Sequence, residues 1–147
     1  MDVQAEQEGG VVRCLLVVAG EHRCAVPLNQ VRRVTRALTP HPLPGGTPEL
    51  VGLAEFEGEP ITILDLKRLV NAAPAATPPH PVTIIAWAGP PNARESVGLA
   101  ADAAESIVEV AMTEVVGGRS GPVWGEASVA GQPLRVLNLE LLGGEQG

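Results

Sequence analysis

Three side chains that could bind a metal ion lie near the start of the sequence: Cys14, His22 and Cys24. We predict His22 in a turn, Cys24 on the adjoining strand and Cys14 opposite it. A zinc site needs three or four converging ligands, and no further residue follows at a suitable spacing. The pattern favours reduced, partly buried cysteines and a surface histidine over a metal site.

Residues that could act in catalysis are few. Glu55 and Glu57 have the i,i+2 spacing that places both carboxylates on one face of a strand, where they could exchange protons. Solvated charges on an exposed hairpin explain the same pattern. The sequence has one lysine, Lys67, and no Gly-rich phosphate-binding loop. None of its serines lies in a G-x-S-x-G motif: Ser96, Ser106, Ser120 and Ser128. We therefore predict a protein without enzymatic activity.

Composition and charge argue against several partners. The 147 residues carry a net charge of −7, the wrong sign for a nucleic-acid backbone or an anionic membrane surface. Aromatic residues are limited to Phe56, Trp87 and Trp124, which leaves little surface for base stacking. We interpret two small basic groups as solvated faces of an acidic protein. They lie at positions 32, 33 and 36 and at positions 67 and 68.

No targeting or membrane segment is recognisable. The first ten residues contain acidic side chains but no basic n-region and no apolar run. No later stretch approaches the roughly 20 apolar residues of a membrane span. We expect a cytoplasmic protein that does not insert into a membrane.

An internal duplication organises the sequence. Residues 52–69 align without a gap on residues 125–142, at an offset of 73. Seven pairs are identical: Gly52/Gly125, Ala54/Ala127, Gly58/Gly131, Pro60/Pro133, Leu64/Leu137, Leu66/Leu139 and Leu69/Leu142. The same offset carries residues 25–29 onto 98–102. Such a repeat indicates two copies of one structural unit.

The duplication predicts the organisation of the chain. We expect a flexible acidic tail over residues 1–10, a first subdomain over about 11–70, a Pro/Ala-rich linker over 71–80, a second subdomain over about 81–142, and a tail over 143–147. Each copy has about five short strands with period-two patterning, Gly-centred hairpins at residues 57–59 and 130–132, and a final helical turn. This pattern predicts a mostly β protein of two small barrels packed together.

Several segments carry a resemblance to a known family. The resemblance to the first half of a CheW-like domain lies in residues 25–34, Leu43, Pro44, Pro48, residues 51–52, Gly58 and residues 61–69. Residues 97–102 and 107–110 are similar to its second half. The resemblance spans about residues 11–142. It implies two five-stranded SH3-like barrels around a shared hydrophobic core, with no cofactor.

The resemblance also implies a function. Members of this family are adaptors that link the cytoplasmic tips of chemoreceptors to a CheA-type histidine kinase, through the regulatory domain of the kinase. The resemblance implies recruitment to receptor clusters and a receptor groove between the barrels. On this chain the groove would involve Val31, Arg33, Val34, Gly52, Glu57, Gly58 and Gly98.

The chain departs from the family pattern at two charges. The family usually has Asn-Leu-Arg-Gly where this sequence reads Glu-Phe-Glu-Gly at positions 55–58, and commonly has Glu where this sequence has Arg33. We predict that Arg33 and Glu57 form an ion pair of reversed polarity across neighbouring strands. The loop over residues 113–122 also looks shorter than is typical of the family.

The sequence also allows a close variant of this function and two alternatives of other classes. A divergent accessory adaptor would keep the receptor interaction and lose kinase binding, in keeping with the short loop. A small metal-dependent or hydrolytic β-barrel enzyme would need the Cys14, His22 and Cys24 group. A nucleic-acid-binding barrel would have to overcome the acidic charge.

Overall fold

Ten β-strands make up most of the regular structure. The computed structural model describes residues 10–42, 49–70, 81–117 and 122–142. The strands are β1 (Val11–Ala19), β2 (His22–Pro27), β3 (Val31–Arg36), β4 (Leu50–Phe56), β5 (Glu59–Asp65), β6 (Val82–Ala88), β7 (Glu95–Ala101), β8 (Ala103–Ala111), β9 (Val123–Val129) and β10 (Gln132–Leu137). The helix α1 (Leu66–Leu69) follows β5, and 3-10 turns cover Leu28–Gln30, Met112–Glu114 and Leu139–Leu141.

Some predicted segments lie outside the described residues. These are the N-terminal tail up to residue 9, the 71–80 linker, residues 118–121 of the 113–122 loop and the 143–147 tail. The residues Leu43, Pro44 and Pro48 of the family resemblance also lie outside the described residues. Within the described ranges, no helix is long and apolar enough to cross a membrane.

Period-two patterning accounts for the strands that the sequence analysis located best. Ile61 and Ile63 of β5 are buried, as are Leu134 and Val136 of β10, while the residues between them are partly exposed. Side chains alternate between the two faces of a strand, so one face of each hairpin packs inward. The predicted hairpins and helical turns are confirmed at both copies.

Both hairpin turns have the same backbone geometry. Phe56 pairs with Glu59, and Val129 pairs with Gln132, so each turn has two central residues. The φ angles are 53° and 83° in the first turn and 53° and 78° in the second. Two successive positive φ values are typical of a type I′ turn, which matches the twist of the flanking strands. Glu57 and Ala130 adopt this conformation despite having a side chain.

The strands form two five-stranded sheets. In sheet A the order is β8-β1-β2-β10-β9, and in sheet B it is β3-β6-β7-β5-β4. Within each sheet only one pair of neighbours is parallel: β2 with β10, and β7 with β5. Parallel partners require a long connection, so these pairs join strands distant in sequence.

The two sheets are related by exchange of the sequence repeats. Replacing each strand of one repeat by its equivalent in the other converts the order of sheet A into that of sheet B. The register agrees: Thr62 pairs with Val97, and the equivalent Arg135 pairs with Cys24. The expectation that each half would form its own barrel therefore needs correction, because both sheets take strands from both halves. The prediction of a mostly β protein with two five-stranded units is confirmed.

Three apolar clusters hold the sheets. One cluster lies inside each sheet, and a larger one lies between them. The central cluster contains Val17 and Cys24 of sheet A, Ile84 and Leu99 of sheet B, and both leucines of the helical turns, Leu66 and Leu139. The two leucines are fully buried and occupy equivalent positions in the repeat. The predicted shared core is thus made by residues of both halves.

One buried polar side chain joins the halves. Gln30 donates to the side-chain oxygen of Asn138 over 3.0 Å and accepts from the backbone N–H of Leu139 over 2.9 Å. The Asn138 oxygen also accepts from the backbone N–H of Glu140, as a helix cap does. Because each buried polar group of Gln30 has a partner, its burial costs little.

Candidate protein-interaction surface

The predicted ion pair between Arg33 and Glu57 is present. The Arg33 Nη1 and Glu57 Oε2 atoms are 3.0 Å apart, and both side chains are at least half exposed. The Arg33 guanidinium carbon also lies 5.8 Å from the centre of the Phe56 ring, within range of a cation–π contact. Gly58 completes the turn beside Glu57, so the pair is attached to the tip of the β4–β5 hairpin.

The position of this pair differs from the prediction. Arg33 is on β3 and Glu57 is in the β4–β5 turn, and β3 and β4 are the two opposite edges of sheet B. The pair therefore does not join neighbouring hydrogen-bonded strands. It connects the two edges of a curled sheet, and the sequence could not show this because strand order is set by non-local pairing.

The two predicted valines lie on the same edge strand but differ in exposure. Val31 is partly buried and packs against the central cluster. Val34 is 42% exposed, which is high for a large apolar side chain. An exposed apolar residue on the strand that carries Arg33 gives this edge both charged and apolar contact groups.

Two of the predicted groove residues, Gly52 and Gly98, are buried glycines. A side chain at Gly52 would overlap the backbone carbonyl of His41, which bridges to Leu53. A side chain at Gly98 would lie 2.6 Å from Cδ1 of Ile63 and 3.0 Å from Cγ2 of Thr83, inside sheet B. Both glycines permit close approach of other groups, Gly52 on the edge strand β4 and Gly98 on the central strand β7.

A second arginine contact was not predicted from the sequence. The guanidinium carbons of Arg32 and Arg94 lie 4.8 and 4.6 Å from the centre of the Trp87 ring. Arg32 also donates to the Ser96 hydroxyl over 2.6 Å. Arg32 falls at a register shift between β3 and β6, and such a bulge redirects side chains. We call Arg32, Trp87 and Arg94 the arginine–tryptophan cluster.

The residues considered for catalysis or metal binding do not form a site. Cys14 and Cys24 are fully buried and belong to different apolar clusters. Burial raises the pKa of each thiol to about 12, so both stay protonated at neutral pH. Glu55 is exposed, and Glu57 lies in a turn, not on the strand. In the described ranges, no three His, Cys, Asp or Glu residues could hold a metal ion.

Comparison with solved structures shows that the fold is shared with a known protein. The chain superimposes on the scaffolding protein TtCheW from Thermoanaerobacter tengcongensis with a TM-score of 0.73. The match covers 92% of this chain and 94% of that chain at 15% sequence identity. At this identity the similarity shows a shared fold. No curated protein sequence matches the chain.

A family model matches almost the same range of the sequence as the predicted resemblance over about residues 11–142. The model describes the CheW-like domain and matches residues 13–146. This range includes all ten strands apart from the first two residues of β1. The chain belongs to the CheW-like domain family.

Proposed function

We propose that this protein is a non-catalytic adaptor that couples chemoreceptors to a CheA-type histidine kinase. Membership of the CheW-like family is the observation that carries the proposal. The fold shared with a scaffolding protein supports it. An adaptor acts by binding two partners at once, so its function depends on exposed surfaces and needs no reactive group.

The receptor surface of the proposal is the β3 edge of sheet B with the β4–β5 turn. Val34, Arg33 and Glu57 supply an exposed apolar group beside two charges. An amphipathic receptor helix presents the complementary pattern, apolar side chains flanked by polar ones. Val31 and Gly58 flank these residues, while the buried Gly52 and Gly98 keep the strands in position.

The reversed polarity of Arg33 and Glu57 determines receptor choice in this proposal. An exposed ion pair contributes only about 0–1 kcal/mol to folding. Rim charges act more strongly on partner selection, because like charges brought together at an interface are repelled. A receptor that matches Arg33 and Glu57 should therefore bind poorly to an adaptor with the opposite arrangement.

A charge-swap experiment tests this surface. The double variant Arg33→Glu with Glu57→Arg should change the order of affinity across a panel of receptor signalling domains. The matched control is Arg23→Glu with Glu105→Arg, which swaps a second exposed pair, also 3.0 Å apart, on sheet A. Equal affinities for the original protein and the first variant across the panel would contradict this assignment.

The kinase interaction requires a separate measurement. We propose that the adaptor also binds the regulatory domain of the kinase. The alternative is an accessory adaptor that binds receptors alone, as the short loop suggests. Separate pull-downs with a receptor signalling domain and with the kinase regulatory domain distinguish these cases. Binding to the receptor alone selects the accessory adaptor, and binding to neither overturns the adaptor proposal.

The proposal also assigns a location. An adaptor of this kind works on the cytoplasmic side of receptor clusters. A fluorescent fusion should form foci with the receptors, and these foci should disperse when the receptors are deleted. A uniform distribution in cells that contain receptor clusters would contradict the assignment.

A further inference from the structure

The arginine–tryptophan cluster concentrates positive charge on an acidic protein. Arg32 and Arg94 both lie within 5 Å of one indole ring, so their charges are no further apart than the sum of those two distances. The whole chain carries a net charge of −7. Two like charges held together repel each other unless an anion neutralises them.

No carboxylate in the described part of the chain forms an ion pair with the cluster. The ion pairs in the described residues involve Arg23, Arg33 and Arg68, and neither Arg32 nor Arg94 has an acidic partner within 4 Å. Arg94 and Trp87 line a shallow pocket with Asn29 and Glu140. Glu140 thus lies at the pocket but does not form an ion pair with Arg94. The cluster retains capacity for an anion from outside.

The residue types indicate a protein partner. Trp and Arg are among the side chains enriched in the residues that dominate protein–protein affinity. The indole ring offers apolar contact area, and the guanidinium groups offer directed hydrogen-bond donors for a carboxylate. Both arginines are exposed and Trp87 is half-buried, so a partner can reach all three.

We propose that the arginine–tryptophan cluster is a docking point for an acidic protein segment, in which a Glu or Asp side chain binds Arg32 and Arg94 and a neighbouring apolar side chain contacts Trp87. This site is separate from the Arg33–Glu57 pair, whose arginine already has an acidic partner. It does not depend on the identity of the receptor or the kinase.

Peptide titration followed by tryptophan fluorescence tests the site. The experiment uses the variant Trp124→Phe, in which Trp87 is the only remaining tryptophan. The probe is an end-capped Gly-Ser-Glu-Leu-Glu-Ser-Gly peptide, and its control replaces both Glu residues by Gln. We expect saturable binding of the acidic peptide and at least tenfold weaker binding of the Gln peptide. Salt should weaken the acidic peptide's binding, since exposed charges are screened.

Variants of the chain locate the bound carboxylate. Arg32→Gln and Arg94→Gln should each weaken binding about tenfold, as expected for loss of one charge-assisted contact. Glu140→Gln should tighten binding two- to threefold, because it removes the acidic side chain that lines the same pocket. Arg36→Gln is the matched control: Arg36 is exposed on the same strand as Arg32 but outside the cluster, and its loss should have no effect.

Four outcomes would overturn the proposal. One is equal affinity for the Glu and Gln peptides. Another is an equal loss of binding in Arg36→Gln and in the cluster variants. The third is tighter binding of a single-stranded oligonucleotide than of the acidic peptide, which would identify a stacking site for bases. Absence of any saturable fluorescence change at millimolar peptide would also refute it.

Discussion

The exposed rims of sheets A and B have the same backbone and different chemistry. The rim of sheet B carries Arg32, Arg33, Phe56, Glu57 and Trp87. The equivalent positions of sheet A carry Glu105, Ser106, Val129, Ala130 and Val18. The turns, the register and the buried leucines are shared by both copies. Among the residues that the structure describes, aromatic rings under guanidinium groups occur on the rim of sheet B alone.

One contact illustrates how the rims diverged. On sheet A, Glu105 of β8 accepts from Arg23 of β2 over 3.0 Å. On sheet B the equivalent residues are Arg32 and Ser96, which form a hydrogen bond of 2.6 Å. A side-chain hydrogen bond thus joins equivalent positions in both sheets. The residue on β8 is acidic, Glu105, whereas its equivalent on β3 is basic, Arg32. Duplication thus preserved a scaffold, and the exposed side chains were free to specialise.

The largest expected effect tests whether the copies form one folding unit. Leu66→Ala and Leu139→Ala each remove a fully buried side chain from the central cluster, which should cost about 3 kcal/mol. Because each sheet takes strands from both halves, both variants should unfold in a single transition. Urea unfolding followed by circular dichroism and by fluorescence measures this. Two separated transitions would show that the sheets unfold independently.

One glycine in each repeat, Gly52 and its equivalent Gly125, should be needed for the stability of the fold. A side chain at Gly52 would meet the His41 carbonyl, and one at Gly125 would lie 2.8 Å from the Val116 carbonyl oxygen. We expect Gly52→Ala and Gly125→Ala to destabilise the fold by about 2 kcal/mol each through overpacking.

The turn glycines provide the control for this comparison. Gly58 and Gly131 have positive φ but open space around the missing side chain. Gly58→Ala and Gly131→Ala should cost about 1 kcal/mol from backbone strain alone. Equal losses at all four positions, measured by urea unfolding, would mean that close approach at Gly52 and Gly125 does not matter.

The first central residue of each hairpin should respond differently in the two rims. Asn is favoured at this position of a type I′ turn, so Ala130→Asn should stabilise the protein by about 0.5–1 kcal/mol. Glu57→Asn should gain the same backbone stabilisation but lose the ion pair with Arg33. Its net effect on the free energy of unfolding should therefore be near zero. Thermal melts of both variants give the comparison. Equal stabilisation would show that the ion pair contributes nothing to folding.

A small effect is also expected from replacing the charged pair of sheet B by the equivalent residues of sheet A. Arg33→Ser with Glu57→Ala should change the free energy of unfolding by about 0.5 kcal/mol, since the pair is exposed. A loss above about 2 kcal/mol would instead mean that the pair holds the two edges of sheet B together. The same variant should alter receptor binding if the proposed function holds.

The local features of the fold could be predicted from the sequence, and the strand order could not. The turn at Glu57 and Gly58 follows from a Gly-centred segment between alternating strands, and its repeat at Ala130 and Gly131 follows from the duplication. The burial pattern of Ile61 and Ile63 is identical whether β5 pairs within its own half or with β7. Sequence periodicity therefore contains no information that separates two independent barrels from the interleaved sheets.

The candidate site shows the same division. The opposite charges of Arg33 and Glu57 allowed the ion pair to be predicted, although its place between two sheet edges depended on topology. The arginine–tryptophan cluster was missed because Arg32 and Trp87 are far apart in sequence and meet only through the β3–β6 pairing. A bulge at Arg32 is not encoded by any local motif.

The interleaved order of the strands also dictates when each sheet can be completed during synthesis. All strands of sheet B have been made once the ribosome has passed Ala101, whereas sheet A needs β10, which ends at Leu137. The strands β1 and β2 are the first to be synthesised, yet their partners β8 and β10 arrive last. The β1–β2 hairpin must therefore leave the ribosome with both edges unpaired until β8 and β10 have been synthesised. Such unpaired edges are open to pairing with other chains, so the interval before β10 emerges is the stage at which the nascent protein most needs protection from aggregation.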